Sequence, residues 1–513
     1  MKSWLWFKED LTYMAETINE LQGQRLYTSV RLTGLLVGLF LLIMPFIFPA
    51  PEGLSDAGWK VMGVTGLMAV WWVTGPVNIT VTALVPLVAF PFLGVADFKA
   101  AAAPYSHPTV YLFFGGFLIA RALQRWNLHK RIALIIASSV GTRPDMLILG
   151  FMIAVAFLSM WVSNTATAVM MLPVAASVIS YISGPDGDAN PANNRIGTAM
   201  MLGIAYAASI GGIGTLVGTP PNAFMAAFLS AEPYNYEISF VGWMALAVPL
   251  VIIMLPLCWF ILTHIMFREC LSPELRKSGA EGRKAVREAL KELGPMKTAE
   301  WRVGGVFLFV ALAWMFRPLL SSLPGLETIN DSSIGVLGGL LMFLMPAGTL
   351  KDGLKVRLLS WEDAEKLPWG VLILFGGGLS MAALISQTGA SDWIGSGLSS
   401  FETMPLLLMT LCITGTILLL TELTSNVTTT AALLPVIAAL GTSAGIDPIL
   451  LAVPAALAAS CAFMLPVATP PNAVVFASGY ITIPQMIKAG VLVNLVAIGV
   501  ITLAAYFYLP VFF

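Results

Sequence analysis

The chain has 513 residues, of which 58% are hydrophobic and only 11% are charged. A soluble protein carries roughly 25% charged residues, so this composition excludes an ordinary cytosolic enzyme and a disordered chain. The formal net charge of -1 excludes the basic surface that a nucleic-acid-binding protein needs. Apolar runs of about 20 residues, long enough to cross a bilayer, recur along almost the whole length. We therefore predict an all-α polytopic membrane protein, because backbone polar groups must pair internally in lipid.

The sequence opens with residues 1–29, in which charged and aromatic side chains are interspersed and no signal-peptide cleavage site is present. This pattern predicts an interfacial segment on the membrane surface. Thirteen apolar segments follow, and their glycines at 115–116 and 376–378 are expected to serve close helix packing. The predicted segments are 30–49, 57–74, 77–95, 108–128, 147–181, 197–230, 240–267, 302–320, 333–349, 369–396, 404–440, 448–478 and 486–511.

The most polar internal stretch is 268–302, which holds nine lysines and arginines. Because loops rich in these residues stay on the cytoplasmic side, we predict a cytoplasmic loop. Its charges are of mixed sign, which favours a solvated helix. The loop separates a first block, 30–267, with six transmembrane helices from a second block, 303–513, with five.

Two apolar segments, 147–181 and 404–440, are too long for one simple crossing and too short for two. If both enter the membrane and return on the same side, only Lys60, Lys99 and Arg317 of the 27 lysines and arginines face outward. The charge bias therefore predicts an inner re-entrant hairpin in the first segment and an outer one in the second. The expected total is 11 transmembrane helices plus two hairpins, with the N-terminus cytoplasmic and the C-terminus external.

These two segments belong to an internal repeat. The dipeptide Ser-Asn at 163–164 matches Ser-Asn at 425–426, at an offset of 262 residues. GTPPNA at 218–223 matches ATPPNA at 468–473, at an offset of 250. Each copy contains an odd number of crossings, so the copies are inverted relative to each other. Inverted repeats with helices interrupted at matching positions are typical of secondary transporters, whose binding site lies near the membrane midplane.

The interrupted helices offer oxygen atoms and free backbone donors inside the membrane. A Pro-Pro pair cannot continue a helix and frees carbonyl groups on the preceding turn. Those carbonyls, with Asn, Ser and Thr oxygens, suit an alkali cation, while the N-termini of the following helices suit an anion. No lysine or arginine lies in either motif. We therefore predict paired cation sites that flank one anion site, with cations required before the anion binds.

Glu422 is the one acid deep in an apolar hairpin of the sequence, and its repeat partner is Met160. An acid inside a membrane is a candidate proton site by default, and a hydrogen-bonded structural acid is the equally weighted alternative. The histidines and cysteines are scattered without metal-binding or disulfide spacing. The sequence also offers no assembled acid–base set, which argues against an enzyme, and we predict no organic cofactor.

The paired Ser-Asn motifs, each followed by a Thr-Pro-Pro-Asn motif, resemble those of the divalent anion/sodium symporter family from about residue 55 to the C-terminus. The resemblance implies sodium-coupled symport of a dicarboxylate, with a succinate-like C4 anion as the substrate. It further implies a homodimer in a bacterial inner membrane. Each protomer would combine a dimerising scaffold domain with a transport domain that moves in an elevator mechanism.

The resemblance also implies site residues. One sodium site is expected to use Ser159, Ser163, Asn164 and Gly218. The other sodium site is expected to use Thr421, Thr424, Asn426 and Ala468. The substrate carboxylates are expected to contact residues at Asn164, Thr165, Thr219, Asn426, Val427, Thr428, Thr469 and Pro470.

One position departs from the family pattern. Val427 stands where some relatives have threonine, and it cannot donate a hydrogen bond, so Thr428 is a candidate substitute. The sequence leaves open a proton-coupled carrier or an anion exchanger of the same fold, with citrate or sulfate as the substrate. A channel is a further alternative, although polar breaks confined to the centre do not form a continuous pore.

Overall fold

The computed structural model shows the chain mainly as helices. The described residues are 29–141, 143–183, 194–268, 273–351, 354–398 and 404–512. The interfacial segment predicted at 1–29 therefore lies almost wholly outside the described residues.

The first block contains twelve helices in its described part, and the last of them continues as a π-helical turn at Ile261–Met266. Helices before the inner hairpin are α1 (Ser29–Ile47), α2 (Asp56–Thr74), α3 (Ile79–Thr82), α4 (Val85–Phe92), α5 (Phe98–Ala102), α6 (Pro108–Arg125) and α7 (Leu128–Ser139). The hairpin and the helices after it are α8 (Pro144–Ser159), α9 (Asn164–Ser183), α10 (Arg195–Gly212), α11 (Pro220–Ser230) and α12 (Phe240–Phe260).

The rest of the chain adds further helices and one antiparallel β-ribbon. Its first elements are α13 (Pro273–Glu292), α14 (Thr298–Met315), α15 (Arg317–Leu320), α16 (Asp331–Leu344), β1 (Pro346–Lys351), β2 (Leu354–Arg357) and α17 (Trp361–Ala364). Its later elements are α18 (Trp369–Gln387), α19 (Ala390–Gly397), α20 (Leu406–Thr421), α21 (Asn426–Ser443), α22 (Ile449–Ala459), α23 (Pro470–Phe476) and α24 (Ile483–Phe507).

Polar caps set where several apolar helices begin. Ser55 Oγ accepts from Gly58 N at the start of α2, and the Ser239 side chain caps α12 in the same way. Thr482 and Gln485 form a reciprocal capping box at the start of α24. Because such caps pair the free donors of a helix N-terminus, each apolar run begins at a defined residue.

Within the described ranges, seven helices are long and apolar enough to cross a membrane unaided. They lie at Ser29–Ile47, Asn164–Ile182, Phe240–Met266, Thr298–Met315, Trp369–Gln387, Asn426–Ser443 and Ile483–Val511. Shorter apolar helices include Pro144–Ser159 and Leu406–Thr421, which are the first arms of the two predicted hairpins. The all-α membrane fold is confirmed, whereas the total of 11 crossings stays a prediction.

The helix contacts form three clusters. In the first, α1 packs against α2, and in the second, α16 packs against α6 and α14. In the third, α8 packs against α10, α20 against α22, and α22 against α21 and α24. Helix α18 lies between the clusters, because it contacts α2, α6 and α21.

Glycines allow close approach at two helix contacts. A Cβ built on Gly115 would lie 2.2 Å from the backbone of Gly335 on α16. A Cβ built on Gly377 would lie 2.2 Å from the carbonyl oxygen of Ala83. A larger side chain would separate the helices, so these glycines serve helix packing as the sequence predicts.

The loop predicted at 268–302 contains α13, which is only partly solvated. Lys284 and Arg287 are exposed, as expected of a solvated helix. Ala285 and Val286 are instead buried, because α13 packs against both arms of the inner hairpin. The expectation of a solvated loop helix is therefore wrong for this face of α13.

A buried ion pair fixes α7 to the start of α14. Arg131 Nε donates to Glu300 Oε2 at 2.6 Å, and Arg131 Nη2 donates to Oε1 at 3.2 Å. Arg131 also donates to the Gly294 carbonyl at 3.0 Å. A two-pronged pair of this kind is geometrically specific, so the start of α14 is anchored to α7.

Cysteine labelling at two exposed positions tests the predicted sidedness. In a chain whose native cysteines are replaced by serine, Ser322→Cys should react with an impermeant maleimide added to intact cells. Arg287→Cys on α13 should react only after permeabilisation, because positively charged segments stay inside. Reversed labelling of the two positions would contradict the re-entrant topology. The native cysteines to be replaced are Cys258, Cys270, Cys412 and Cys461.

Candidate functional site

Both predicted hairpins turn at their Ser-Asn motifs. The inner turn joins Ser159, the end of α8, to Asn164, the start of α9. Ser159 Oγ donates to Asn164 Oδ1 at 2.6 Å. In the outer hairpin, Thr421 Oγ1 donates to Asn426 Oδ1 at 2.8 Å. The same hydrogen bond therefore closes both turns, at equivalent positions of the repeat.

The first Thr-Pro-Pro-Asn motif interrupts the crossing between α10 and α11. Asn222 Nδ2 donates to the carbonyl oxygens of Ile213 and Thr215, at 3.0 and 2.8 Å. It also lies 3.4 Å from the Gly212 carbonyl oxygen. These carbonyls follow the end of α10, and the prolines that begin α11 supply no donors for them. The buried Asn222 side chain therefore stabilises the break.

Asn472 makes equivalent contacts in the second copy. Its Nδ2 donates to the Ala462 and Leu465 carbonyl oxygens, at 3.1 and 3.0 Å. These two residues stand where the first copy has Gly212 and Thr215. The two interrupted helices are thus built in the same way.

Asn222 and Asn472 are functional candidates that the sequence analysis missed. Their Oδ1 atoms are buried, and neither has a hydrogen-bond partner among the described residues. Because Nδ2 faces carbonyl groups in both cases, the assignment of nitrogen and oxygen is chemically required. An unpaired buried acceptor costs about 1–3 kcal/mol, so both oxygens suit a ligand. The sequence feature that could have identified them is the asparagine that follows Thr-Pro-Pro in both copies of the motif.

The inner hairpin turn lies directly against the first break. A Cβ built on Gly212 would lie 2.7 Å from Asn164 Oδ1, and one built on Gly218 would lie 2.4 Å from the Gly212 carbonyl oxygen. The Thr215 hydroxyl donates to the Met160 carbonyl oxygen. Only glycine permits such close backbone approach. The structure therefore brings the predicted residues Asn164 and Gly218 into one small polar region.

The outer hairpin turn is joined to the second break. Thr421 Oγ1 also lies 2.9 Å from the Ala459 carbonyl oxygen at the end of α22, so its single proton is shared between this oxygen and Asn426 Oδ1. Ala468 is buried on the same break. The predicted residues Thr421 and Asn426 therefore lie at the contact between the turn and the interrupted helix.

Two predicted ligands are placed less directly. Ser163 is exposed, and its Oγ accepts from Ala166 N at 3.3 Å. The Thr424 hydroxyl donates to the Leu420 carbonyl oxygen at 2.8 Å. Within the described ranges, neither side chain makes a hydrogen bond to the asparagine of its turn, so any contribution would come through backbone carbonyls.

Four predicted substrate residues lie at helix starts. Thr165 and Val427 are half-buried in the first turns of α9 and α21. Thr219 and Thr469 are buried N-cap residues of α11 and α23. These positions place their side chains beside the free donors of helix N-termini.

The remaining predicted substrate residues differ in exposure. Thr428 is only 1% exposed, and its hydroxyl donates to the Ser425 carbonyl oxygen at 2.8 Å. That proton is already used within α21, which weakens the idea that Thr428 substitutes for a donor at Val427. Pro470 is exposed at the start of α23.

The two copies pack crosswise. Helix α9 packs against α23 of the second copy, and α11 packs against α21.

Outside the apolar helices, Tyr236 Oη donates to Asp447 Oδ2 at 2.6 Å, and this hydrogen bond raises the pKa of Tyr236 to about 12. The phenol stays protonated at neutral pH and links a loop of one copy to a loop of the other.

Comparison with known proteins gives concordant matches. The family model for the sodium:sulfate symporter transmembrane region matches residues 29–513. A sodium-dependent dicarboxylate transporter of Staphylococcus saprophyticus is 41% identical over 487 residues, covering 94% of this chain and 92% of the relative. A protein of the same name from Staphylococcus aureus is 37% identical over 507 residues, covering 98% and 95%.

Solved structures support the fold. MtrF of Neisseria gonorrhoeae aligns with a TM-score of 0.55 at 13% identity, covering 94% of this chain and 96% of that chain. The Alcanivorax borkumensis YdaH transporter aligns with a TM-score of 0.53 at 12% identity, covering 94% and 98%. With the family match over nearly the full length, the chain belongs to the sodium:sulfate symporter family, the divalent anion/sodium symporters, and is an integral membrane transporter rather than an enzyme.

Proposed function

We propose that this protein is a secondary active transporter that couples sodium entry to the uptake of a C4 dicarboxylate such as succinate. The observation that carries the proposal is the pair of equivalent turns, each an asparagine held by a hydroxyl beside an interrupted helix. Family membership and the relatives named as sodium-dependent dicarboxylate transporters support the same function.

The oxygen groups of each turn and break fit sodium as the transported cation. Unwound backbone carbonyls and helix ends are common ligands of coupling sodium ions. The inner site would use Ser159, Ser163, Asn164 and Gly218, and the outer site would use Thr421, Thr424, Asn426 and Ala468. The buried Oδ1 atoms of Asn222 and Asn472 add acceptors beside these sites.

Neutral donors would hold the dicarboxylate. In the described part of the chain, Nδ2 of Asn164 and of Asn426 makes no hydrogen bond, while Oδ1 of each is already held. The two amides can therefore donate to carboxylate oxygens. The N-termini of α9 and α21 add free backbone donors and a positive dipole end. Because no lysine or arginine lies in these motifs, bound sodium would supply the balancing charge.

We further propose an elevator mechanism in a homodimer located in a bacterial plasma membrane, with the N-terminus cytoplasmic. Support comes from the packing of both hairpins against both interrupted helices, since α10 contacts α8 and α23, and α11 contacts α21. These helices would move as the transport domain, and the separate clusters of α1 with α2 and of α6, α14 and α16 would form the dimerising scaffold.

Counterflow in proteoliposomes tests the substrate. Vesicles loaded with unlabelled succinate, citrate or sulfate are diluted into labelled succinate, with sodium or with choline. We expect strong accumulation only with sodium and internal succinate. Strong counterflow with citrate or sulfate but not succinate would contradict the C4 assignment, and equal counterflow in choline would favour a sodium-independent exchanger.

A further inference from the structure

Glu422 is buried at the turn of the outer hairpin, with 3% of its surface exposed. Its Oε1 accepts from Phe463 N at 2.8 Å and from Asn494 Nδ2 at 2.7 Å. Met464 N lies 3.0 Å from Oε1 and 3.1 Å from Oε2, and Leu465 N donates to Oε2 at 3.2 Å. Three successive backbone N–H groups and one side chain of α24 therefore surround this carboxyl group.

In every hydrogen bond that Glu422 makes with the described residues, its carboxyl group is the acceptor. An ionised carboxylate only accepts hydrogen bonds, whereas a protonated acid also has to donate one. Successive backbone N–H groups form a concave site that favours an anion. These contacts hold the carboxyl group in place as an acceptor and favour the structural alternative over the candidate proton site.

The first copy of the repeat fixes its break differently. Met160 occupies the place of Glu422 there, and Thr215 Oγ1 donates to the Met160 carbonyl oxygen while accepting from Gly218 N. In the second copy, Leu465 occupies the place of Thr215 and has no hydroxyl. A carboxylate thus joins turn and break in the second copy, where a hydroxyl does so in the first.

One peptide unit connects Glu422 to the outer break. The Phe463 N–H donates to Glu422, and the carbonyl of the same peptide, which belongs to Ala462, accepts from Asn472 Nδ2. The N–H and C=O groups of a trans peptide point in opposite directions. By holding the Phe463 N–H, Glu422 therefore also fixes the Ala462 carbonyl group and the Asn472 side chain that donates to it.

We propose that Glu422 is the positioning residue of the outer cation site, with Asn494 as its partner. The carboxylate holds residues 463–465 so that the Ala462 carbonyl and Asn472 keep the conformation in which this site binds the cation. It also places an acidic side chain at the outer turn, where the inner copy has Met160. The inference rests on the proposed function, since the cation is the coupling sodium.

The first measurement reports how firmly residues 463–465 are held, and it does not require transport. Cys461 is buried and directly precedes the loop, so its labelling rate reports local opening in a chain that keeps it as the single cysteine. Glu422→Gln should label with a small maleimide about tenfold faster in detergent, the scale of a lost charge-assisted hydrogen bond. The control is Asp145→Asn, because Asp145 is 1% exposed in the inner hairpin and pairs with Arg143. This control should leave the rate unchanged.

The second measurement follows sodium. Glu422→Gln should raise the half-saturating sodium concentration about tenfold, by the same reasoning, with a smaller change in maximal rate. Its effect should be non-additive with Asn426→Ala and additive with Asn164→Ala, because only Asn426 belongs to the outer site. Asn494→Ala removes one donor to Glu422 and should change both the labelling rate and the sodium dependence in the same direction as Glu422→Gln, but by a smaller amount. This variant keeps the test usable if Glu422→Gln does not fold.

Unchanged sodium dependence in Glu422→Gln, additivity with both asparagine variants, or equal acceleration of labelling in Asp145→Asn would overturn the role of Glu422. Uptake driven by a pH gradient and abolished by Glu422→Gln would assign the residue to a proton instead. Wild-type uptake without sodium dependence would refute the proposed function itself. That result differs from a sodium-dependent wild type whose Glu422→Gln variant is unchanged, which refutes only the positioning role.

Discussion

Alanine at Asn426 should raise the sodium concentration for half-maximal uptake by about tenfold to 100-fold, and alanine at Asn164 should do the same. Each asparagine is held by a hydroxyl at 2.6–2.8 Å, and truncation removes both its oxygen and its free nitrogen. Hydrogen bonds to charged groups contribute about 1.5–3 kcal/mol, which corresponds to this range. The measurement is initial uptake of labelled succinate against sodium concentration in proteoliposomes.

The matched control for these variants is Asn235→Gly. Asn235 is an exposed loop asparagine with a φ of 56°, a conformation that glycine adopts without strain. Its sodium dependence should equal that of the wild type. Unaltered sodium dependence in both Asn164→Ala and Asn426→Ala would rule out the proposed pair of sites.

Leucine at Asn222 should destabilise the protein by at least about 3 kcal/mol, because two buried carbonyl groups lose their donor at about 1–3 kcal/mol each and leucine brings a shape change. Asn222 is completely buried at the first break, and Asn472 is equally buried at the second. The equivalent variant Asn472→Leu should therefore be destabilised to a similar extent. The measurement is the midpoint of thermal unfolding in detergent, determined from the fraction of protein that still elutes as a monodisperse peak after heating.

Ser230→Ala provides the control within the same helix, α11. Its hydroxyl is half-buried, donates to the Ala227 carbonyl oxygen of its own turn at 2.9 Å and lies 3.3 Å from His107 Nε2, so its loss should cost about 1 kcal/mol. If Asn222→Leu and Asn472→Leu unfold at the wild-type temperature, the asparagines do not stabilise the breaks.

The sequence predicts the elements of the site well, because helix interruption is a local property. The turns fall at Ser-Asn and the breaks at Thr-Pro-Pro-Asn, where proline removes donors and asparagine can replace them. The β-ribbon of β1 and β2 is a local feature, but the predicted apolar segment 333–349 includes the start of β1, so the prediction missed it. Pro346 stops α16, and Gly348 adopts a φ of 77°, so these two residues were the available signal.

The contacts that position the site are not local, and the sequence does not predict them. Glu422 meets its donors 41 to 43 residues later along the chain and Asn494 after 72 residues. A sequence pattern identifies a buried acid but not the number of donors around it. The same holds for Arg131, whose partner Glu300 is 169 residues away.

Uptake under imposed gradients tests the central claim of sodium coupling most directly. Proteoliposomes that contain the wild-type protein receive either an inward sodium gradient at equal pH or an inward proton gradient without sodium, with labelled succinate outside. We predict that the sodium gradient drives accumulation above equilibrium and that the pH gradient alone does not. Accumulation that follows the pH gradient and ignores sodium would contradict the proposed coupling.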